Sequence, residues 1–219
     1  MIFLNYFLGA SIGSFFCLIY ERTNKNLSII TPRSHCDYCG HVLGILDLIP
    51  SVSYLLFGRR CRYCHQKYNS HSFQVELYLG LSFLLLYFNF YWQVLIVELV
   101  LSYCYLTDLG EMKIFTWMPI ILTLLLLPTQ YLKVGESLIL IFIVGTISLF
   151  TQGMGIGDLL LLFPISLVLG IEKALELILI SCLLILALYW KISPKKKIAF
   201  VPYLTWGFLI IQILTLVSG

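Results

Sequence analysis

Charged side chains are scarce in this sequence. Lys, Arg, Asp and Glu together make up 11% of the 219 residues, whereas apolar residues make up 60%. Soluble domains carry about 25% charged and about 45–50% apolar residues, so this composition excludes an ordinary soluble fold. The apolar residues also come in runs close to the length of about 20 residues that crosses a bilayer. The sequence therefore predicts a multi-pass membrane protein.

Long polar segments are also missing, except for residues 21–72. We expect an all-α, polytopic transmembrane helical bundle of about eight helices, or of six or seven if neighbouring runs merge. The first run has no basic residue before it, which favours a retained helix over a cleaved secretory signal. The predicted spans are 2–20, 73–90, 92–107, 115–132, 134–151, 158–172, 174–190 and 199–217.

The basic residues predict the orientation of these spans. Of the 14 Lys and Arg residues, all but Lys133 and Lys173 fall in alternate connections. Because Lys and Arg near helix ends favour the cytosolic side, both termini are expected outside. The net charge of +3 then reflects membrane topology, so we expect contact with the lipid bilayer and no nucleic-acid partner. The connections predicted inside are 21–72, 108–114, 151–157 and 191–198.

Two CxxC pairs stand in the long polar loop, Cys36/Cys39 and Cys61/Cys64. Two such pairs supply four thiolates, which close a tetrahedral zinc site with no open position and mark a structural metal. Disulfides or redox chemistry are the alternatives, and a reducing cytosol disfavours disulfides. All four histidines of the sequence also lie in this loop, either as replacement ligands or as ordinary polar residues.

Of the acidic residues at or within the predicted spans, four are candidates for function, namely Glu76, Glu98, Asp108 and Asp158. Ionisable groups in a membrane are costly, which makes each a functional candidate. The predicted topology places Asp108 at the inner end of the third span and Asp158 at the inner start of the sixth. If the two carboxylates meet there, one pKa rises and the pair shares a proton, and such a pair can hydrolyse peptides. In the alternative interpretation Asp158 caps a helix and Asp108 belongs to a polar turn.

Asp158 ends the glycine-rich string Gly153-Met154-Gly155-Ile156-Gly157-Asp158. Glycine allows close backbone approach, so Gly155 and Gly157 would let a carboxylate and an extended substrate lie against a neighbouring helix. Small residues also serve plain helix packing, and that interpretation remains open.

These motifs together resemble a known family, the prepilin peptidases or type IV leader peptidases, which are GxGD-type intramembrane aspartyl proteases. Asp108 falls where that family has its first catalytic aspartate, and Gly155-Ile156-Gly157-Asp158 is similar to its second catalytic motif. Two positions depart from the family pattern. Phe115-Thr116 stands where proline and Asn or Asp are usual, and Leu160 stands where lysine is common. Further similar segments are 9–15, Ser34, both CxxC pairs, 47–50, 58–61 and 75–77.

The resemblance implies an endopeptidase that removes the short basic leader from type IV prepilins or pseudopilins. It implies Asp108 and Asp158 as catalytic residues, with Gly155, Gly157 and Glu76 in the active-site region, and Glu76 as a contact for the leader or a plain helix-start carboxylate. The expected location is the bacterial cytoplasmic membrane, with the active site facing the cytosol, in systems for type IV pili, competence or protein secretion. The expected parts are a first transmembrane helix (1–20), a zinc loop (21–72) and a protease core (73–219).

Many members of this family also methylate the new amino terminus, using S-adenosylmethionine. The sequence has no GxGxxG fingerprint for a nucleotide, so this activity rests on the resemblance alone. A different class of function is a zinc-knuckle membrane scaffold or an ion-coupled transporter that uses the buried acids.

Overall fold

The computed structural model describes residues 1–88, 91–151, 154–189 and 198–218. Within these ranges the chain is all-α. Its only strand-like pairings are two isolated bridges in residues 21–72, the metal loop that carries the two CxxC pairs. The helices are α1 (Ile2–Asn24), α2 (Val52–Leu56), α3 (His71–Phe88), α4 (Trp92–Glu111), α5 (Trp117–Gln130), α6 (Val134–Thr151), α7 (Ile156–Leu169), α8 (Ile171–Tyr189) and α9 (Val201–Ser218). Short 3-10 turns cover Ile45–Asp47 and Tyr131–Lys133.

The expectation of an all-α chain with eight long helices is confirmed in the described ranges, because each long helix lies over one predicted span. The ends differ where the site lies. α4 continues past 107 to Glu111, where Met112 takes a left-handed conformation with φ 54°. α7 begins at Ile156, so Asp158 lies in its first turn. The predicted spans and connections also touch residues 89–90, 152–153 and 190–197, which lie outside the described residues.

Several helices are long and apolar enough to cross a membrane. In the described residues these are Ile2–Asn24, Trp92–Glu111 and the 34-residue stretch Trp117–Phe150, which combines α5 with most of α6. Ile156–Leu169 and Val201–Val217 are shorter apolar helices. The chain is therefore a multi-pass membrane protein.

The chain forms two compact units, Met1–Phe88 and Asn89–Gly219. In the first unit α1 packs against α3, and glycines set the closeness of this contact. A Cβ atom added to Gly9 would clash with the carbonyl oxygen of Leu79, and one on Gly13 would lie 2.9 Å from that of Val75. Lipid does not drive helices together as water does, so such close packing stabilises the pair.

The second unit packs α9 against α4 and α8, and α7 against α5, α6 and α8. Its core consists of apolar side chains such as Leu101 and Phe208, which are fully buried. Lys133 extends from the turn after α5 and donates a hydrogen bond of 3.1 Å to the carbonyl of Val168 near the end of α7. A cation there suits the negative end of the α7 dipole.

Candidate functional site

The four cysteines of the metal loop lie together. Their Sγ atoms are all within 4.8 Å of one another, and Cys36 Sγ and Cys64 Sγ are 3.9 Å apart. A tetrahedral zinc ion with Zn–S bonds of about 2.3 Å places its sulfur ligands about 3.8 Å apart, whereas a disulfide joins sulfurs at about 2 Å. The cysteines are free thiols, and the cluster contains no histidine. The donor set therefore fits a four-thiolate metal ion.

The two knuckles share one backbone design. In the first, Cys36 bonds to the carbonyl of His41 through its N–H and accepts the N–H of Gly40 through its own carbonyl. In the second, Cys61 pairs in the same way with Gln66 and His65. Gly40 has φ 71° and His65 has φ 57°, so the residue after each second cysteine is left-handed. Glycine adopts this conformation without strain and histidine does not.

Backbone N–H groups of the second knuckle also lower the pKa of one cysteine thiol. The backbone N–H groups of Cys64 and Tyr63 lower the pKa of the Cys61 thiol to about 7. Burial and the neighbouring cysteines raise the pKa of the Cys64 thiol to about 11. Thiolates, not thiols, bind zinc, so Cys61 reaches the ligand form more readily than Cys64.

Glu76 holds the metal loop to the helices of the first unit. Its side chain is buried, and its Oε2 accepts a hydrogen bond of 2.6 Å from the backbone N–H of Ser51. The hydroxyl of Ser14 on α1 is a second partner, and Tyr6 donates to the Ser51 hydroxyl at 3.1 Å. Ser51 has φ 61°, so these bonds fix a left-handed turn just before α2. A buried carboxylate with such partners has a clear structural role.

A cavity of about 540 Å³ lies in the first unit, between α1, the metal loop and the start of α3. Its lining carries charges of both signs, including Glu21, Glu76, Arg22 and Arg60. Three backbone carbonyls, those of Ser28, Ile29 and Pro32, accept hydrogen bonds from the Arg22 guanidinium. The volume lies in the usual range for small-molecule sites.

Asp108 is buried near the end of α4, in the second unit. Its Oδ2 accepts a hydrogen bond of 2.9 Å from the backbone N–H of Val201, the first residue of α9, and the N–H of Phe200 also points at the carboxylate. Helix N-termini present unpaired N–H groups and a positive dipole end, which suit an anion. The start of α9 therefore orients Asp108.

Asp158 is held by its own helix. Its Oδ2 accepts a hydrogen bond of 3.1 Å from the backbone N–H of Gly155, the residue before α7. This bond is the capping interaction that the alternative interpretation predicts. Gly157 lies against the residues after α4, since a Cβ atom there would be 3.1 Å from Cβ of Ile114. Gly155 and Gly157 thus bracket the turn that presents Asp158.

The two aspartates lie near the ends of two helices that contact each other. The charge of Asp108 contributes to the electrostatic surroundings of Asp158. The end of α4, the start of α7 and the start of α9 converge there, with Ile114 and Phe200 packed against the same core. Each of the two carboxylates is oriented by a backbone N–H group.

The role of α9 was missing from the sequence interpretation. Val201 contributes only its backbone N–H, which no side-chain pattern reveals. The signal that was available is topological, because the connection 191–198 was predicted on the same side as Asp108. The hydrogen bond between Glu76 and Ser51 was also not predicted, because Ser51 contributes its backbone N–H.

Residues 7–90 match the family model described as Bacterial Peptidase A24 N-terminal domain. This range holds most of α1, the metal loop with its four cysteines, and all of α3. No solved structure is significantly similar to this one.

Curated relatives carry related names. The "Prepilin leader peptidase/N-methyltransferase" of Myxococcus xanthus is 34% identical over 110 residues, which are 50% of this chain and 33% of the relative. The "Type 4 prepilin-like proteins leader peptide-processing enzyme" of Escherichia coli is 41% identical over 61 residues, or 28% of this chain and 23% of the relative. The Neisseria gonorrhoeae "Prepilin leader peptidase/N-methyltransferase" is 27% identical over 206 residues, or 84% of this chain and 72% of the relative. The first two alignments span a third or less of each relative's length.

Proposed function

We propose that the chain is a membrane-embedded aspartyl endopeptidase of the prepilin peptidase family, which its similarity to the family model and to curated relatives supports. The observation that supports this proposal is that Asp108 near the end of α4 and Asp158 in the first turn of α7 lie near enough for the charge of Asp108 to act on Asp158. Backbone N–H groups of Val201 and Gly155 fix each carboxylate before any substrate binds. Such preorganisation is what positions a catalytic pair.

In the proposed reaction one aspartate is ionised and the other protonated. The ionised carboxylate takes a proton from water as the water oxygen attacks the scissile carbonyl carbon. The protonated partner hydrogen-bonds the developing oxyanion and then protonates the leaving nitrogen as the C–N bond breaks. The pair titrates as a unit, so the two roles belong to Asp108 and Asp158 jointly.

We propose that the substrates are type IV prepilins or pseudopilins, which carry a short basic leader before an apolar helix. The names of the relatives support this substrate class. The apolar substrate helix would remain in lipid while the leader is cut at the cytosolic face. In this proposal Glu76, on the lining of the cavity in the first unit, is the contact for the basic leader.

The location follows from the distribution of basic residues. Lys and Arg concentrate in the connections that carry the four cysteines and Asp108, which favours a cytosolic position for both. We therefore propose the bacterial cytoplasmic membrane, with the active site facing the cytosol. The expected parts are kept in this proposal, with 1–20 as the first span, 21–72 as the zinc loop and 73–219 as the protease core.

The metal proposed for the loop is zinc, held by Cys36, Cys39, Cys61 and Cys64. Four thiolates leave no position for a reacting water, so the ion would be structural. In a loop with little apolar core, metal binding supplies folding free energy. The expected result is about one zinc per chain by elemental analysis, and loss of that zinc in Cys39→Ser.

Amino-terminal methylation is a second proposed activity, and the charged cavity of the first unit favours it. S-adenosylmethionine, when bound, would supply the methyl group. Arg60 and Glu21 suit the carboxylate and the positive charges of such a donor. Binding of S-adenosylmethionine to the purified protein, measured by calorimetry against Glu21→Gln, tests this assignment. Equal binding by wild type and variant would contradict the assignment of Glu21.

The test of the peptidase proposal is cleavage of a prepilin by the purified, lipid-reconstituted chain. We expect one cut between the basic leader and the apolar helix, located by mass spectrometry of both products. A peptide whose leader lysines are replaced by glutamine is the matched control, and we expect it to be cut more slowly. Folded protein that leaves the prepilin intact would contradict the proposal.

A further inference from the structure

A second buried carboxylate lies on α4, outside the peptidase mechanism described above. Glu98 is fully buried, and its Oε1 accepts a hydrogen bond of 2.6 Å from Nε2 of Gln212 on α9. Asp108 is joined to the same helix through the N–H of Val201 at 2.9 Å. Two polar contacts therefore connect α4 and α9, which run in opposite directions.

The spacing of the two contacts is matched along both helices. Ten residues separate Glu98 from Asp108, a rise of about 15 Å, and eleven separate Val201 from Gln212, a rise of about 16.5 Å. Both bonds are thus satisfied in a single register of the helices. A slip of one helical turn, about 5.4 Å, breaks both of them.

Between these two hydrogen bonds, the contact of α4 with α9 consists of apolar side chains. Leu101, Cys104, Leu204 and Phe208 are buried in one cluster there. Apolar contacts have no preferred direction, and lipid surroundings do not penalise a slip of one apolar face along another. Directional polar contacts are what select a register in packed helices, as a buried Asn does in coiled coils.

We propose that Glu98 and Gln212 are positioning residues that fix α9 in the register that brings the Val201 N–H to Asp108. The pair touches neither substrate nor the reacting atoms. It acts through the start of α9, and the inference rests on the proposed catalytic role of Asp108. The register depends on the hydrogen bond and not on the negative charge of Glu98. A glutamine at position 98 also has an oxygen that accepts this bond, so it is expected to fix the same register.

Four variants test the pair: Glu98→Gln, Glu98→Leu, Gln212→Leu and the double leucine variant. Replacing both partners with apolar residues removes both ends of this hydrogen bond, so the double variant is expected to fold better than either single leucine variant. Ser102→Ala is the matched control, because Ser102 is also buried on α4 and its hydroxyl donates to the carbonyl of Leu99 in the same helix.

Two readouts are taken on purified protein. The first is hydrogen–deuterium exchange of the peptide that contains residues 200–204, measured without substrate. The second is kcat and KM for prepilin cleavage. Displacements of about 1 Å cost about 100-fold in rate when they reach reacting groups. We expect the leucine variants to exchange faster and to lose about tenfold or more in kcat, with KM within about twofold. Glu98→Gln and Ser102→Ala should match the wild type in both readouts.

Wild-type exchange and wild-type kcat in the folded double variant would overturn the proposal. So would faster exchange with an unchanged kcat, or a Glu98→Gln variant as slow as Glu98→Leu. The exchange measurement separates this inference from the peptidase proposal. If the leucine variants exchange faster but even the wild type cuts no prepilin, the register role stands and the proposed function fails.

Discussion

Backbone N–H groups orient the three carboxylates of interest in this chain. Val201 holds Asp108, Gly155 holds Asp158 and Ser51 holds Glu76. Within apolar surroundings a carboxylate needs such partners, because water does not reach it freely. Replacing the side chain of the residue that provides the N–H leaves the bond in place, so these contacts tolerate side-chain change at the donor.

The left-handed turn of the first knuckle offers a test at one residue. Gly40 has φ 71°, and a Cβ atom there would meet no atom within 4 Å. Gly40→Ala therefore adds backbone strain without a clash, at about 1–2 kcal/mol, or roughly 5–30-fold in affinity. We expect zinc to bind that much more weakly in competition with a chromophoric chelator.

The second knuckle supplies the control for this prediction. His65 occupies the matching position with φ 57°, and His65→Gly removes the same kind of strain. Its zinc affinity should equal or exceed that of the wild type. Equal weakening in Gly40→Ala and His65→Gly would contradict the conformational explanation.

Among the helices, the contact between α1 and α3 depends on glycines, whose lack of a side chain lets the two backbones approach closely. Gly9→Val places its Cβ atom against the carbonyl oxygen of Leu79, closer than van der Waals contact allows. Backbone cannot move aside cheaply, so we expect a loss of at least about 1–3 kcal/mol and a lower folded fraction. Size-exclusion chromatography of detergent-solubilised protein measures that fraction.

Gly145→Val is the matched control in α6. It makes the same change in helix propensity, but the nearest atom to its Cβ would be Leu159 Cδ1 at 4.0 Å. We expect its folded fraction to match that of the wild type. Equal losses in both variants would mean that propensity, and not the α1–α3 contact, decides the outcome.

Apolar runs were enough to predict where helices lie, because the bilayer imposes one length and one composition on each. Their ends were harder to predict. The expected end at 107 rested on the polarity of Asp108, but the backbone continues its hydrogen bonds to Glu111 and the carboxylate is satisfied by α9. The zinc ligands were predictable because CxxC spacing is local, whereas the pairing of Glu98 with Gln212 spans 114 residues of sequence.

For the whole molecule, the distribution of Lys and Arg predicts which ends face the cytosol. Glu111 lies in a predicted inner connection, and Glu136 lies in the first turn of α6, near a predicted outer connection. Both are acidic and exposed, so their replacement leaves the basic residues in place. We expect a membrane-impermeant thiol reagent to label Glu136→Cys in intact cells and Glu111→Cys only after disruption.

The parent protein, with its seven native cysteines, gives the background for that labelling. If Glu111→Cys is labelled in intact cells as strongly as Glu136→Cys, the predicted topology is contradicted. The active site would then face outward, and the proposed cytosolic cleavage would fail.

The most direct test of the account is prepilin cleavage by Asp108→Asn and Asp158→Asn, each at wild-type abundance in membranes. Glu172→Gln, the same kind of change at an exposed carboxylate in the first turn of α8, is the control. The account predicts that either aspartate variant loses cleavage by at least about 10⁴-fold, as removal of one member of a catalytic unit does, while the control keeps it. Cleavage at normal rates by both aspartate variants would contradict the catalytic pair and favour a scaffold or an ion-coupled transporter.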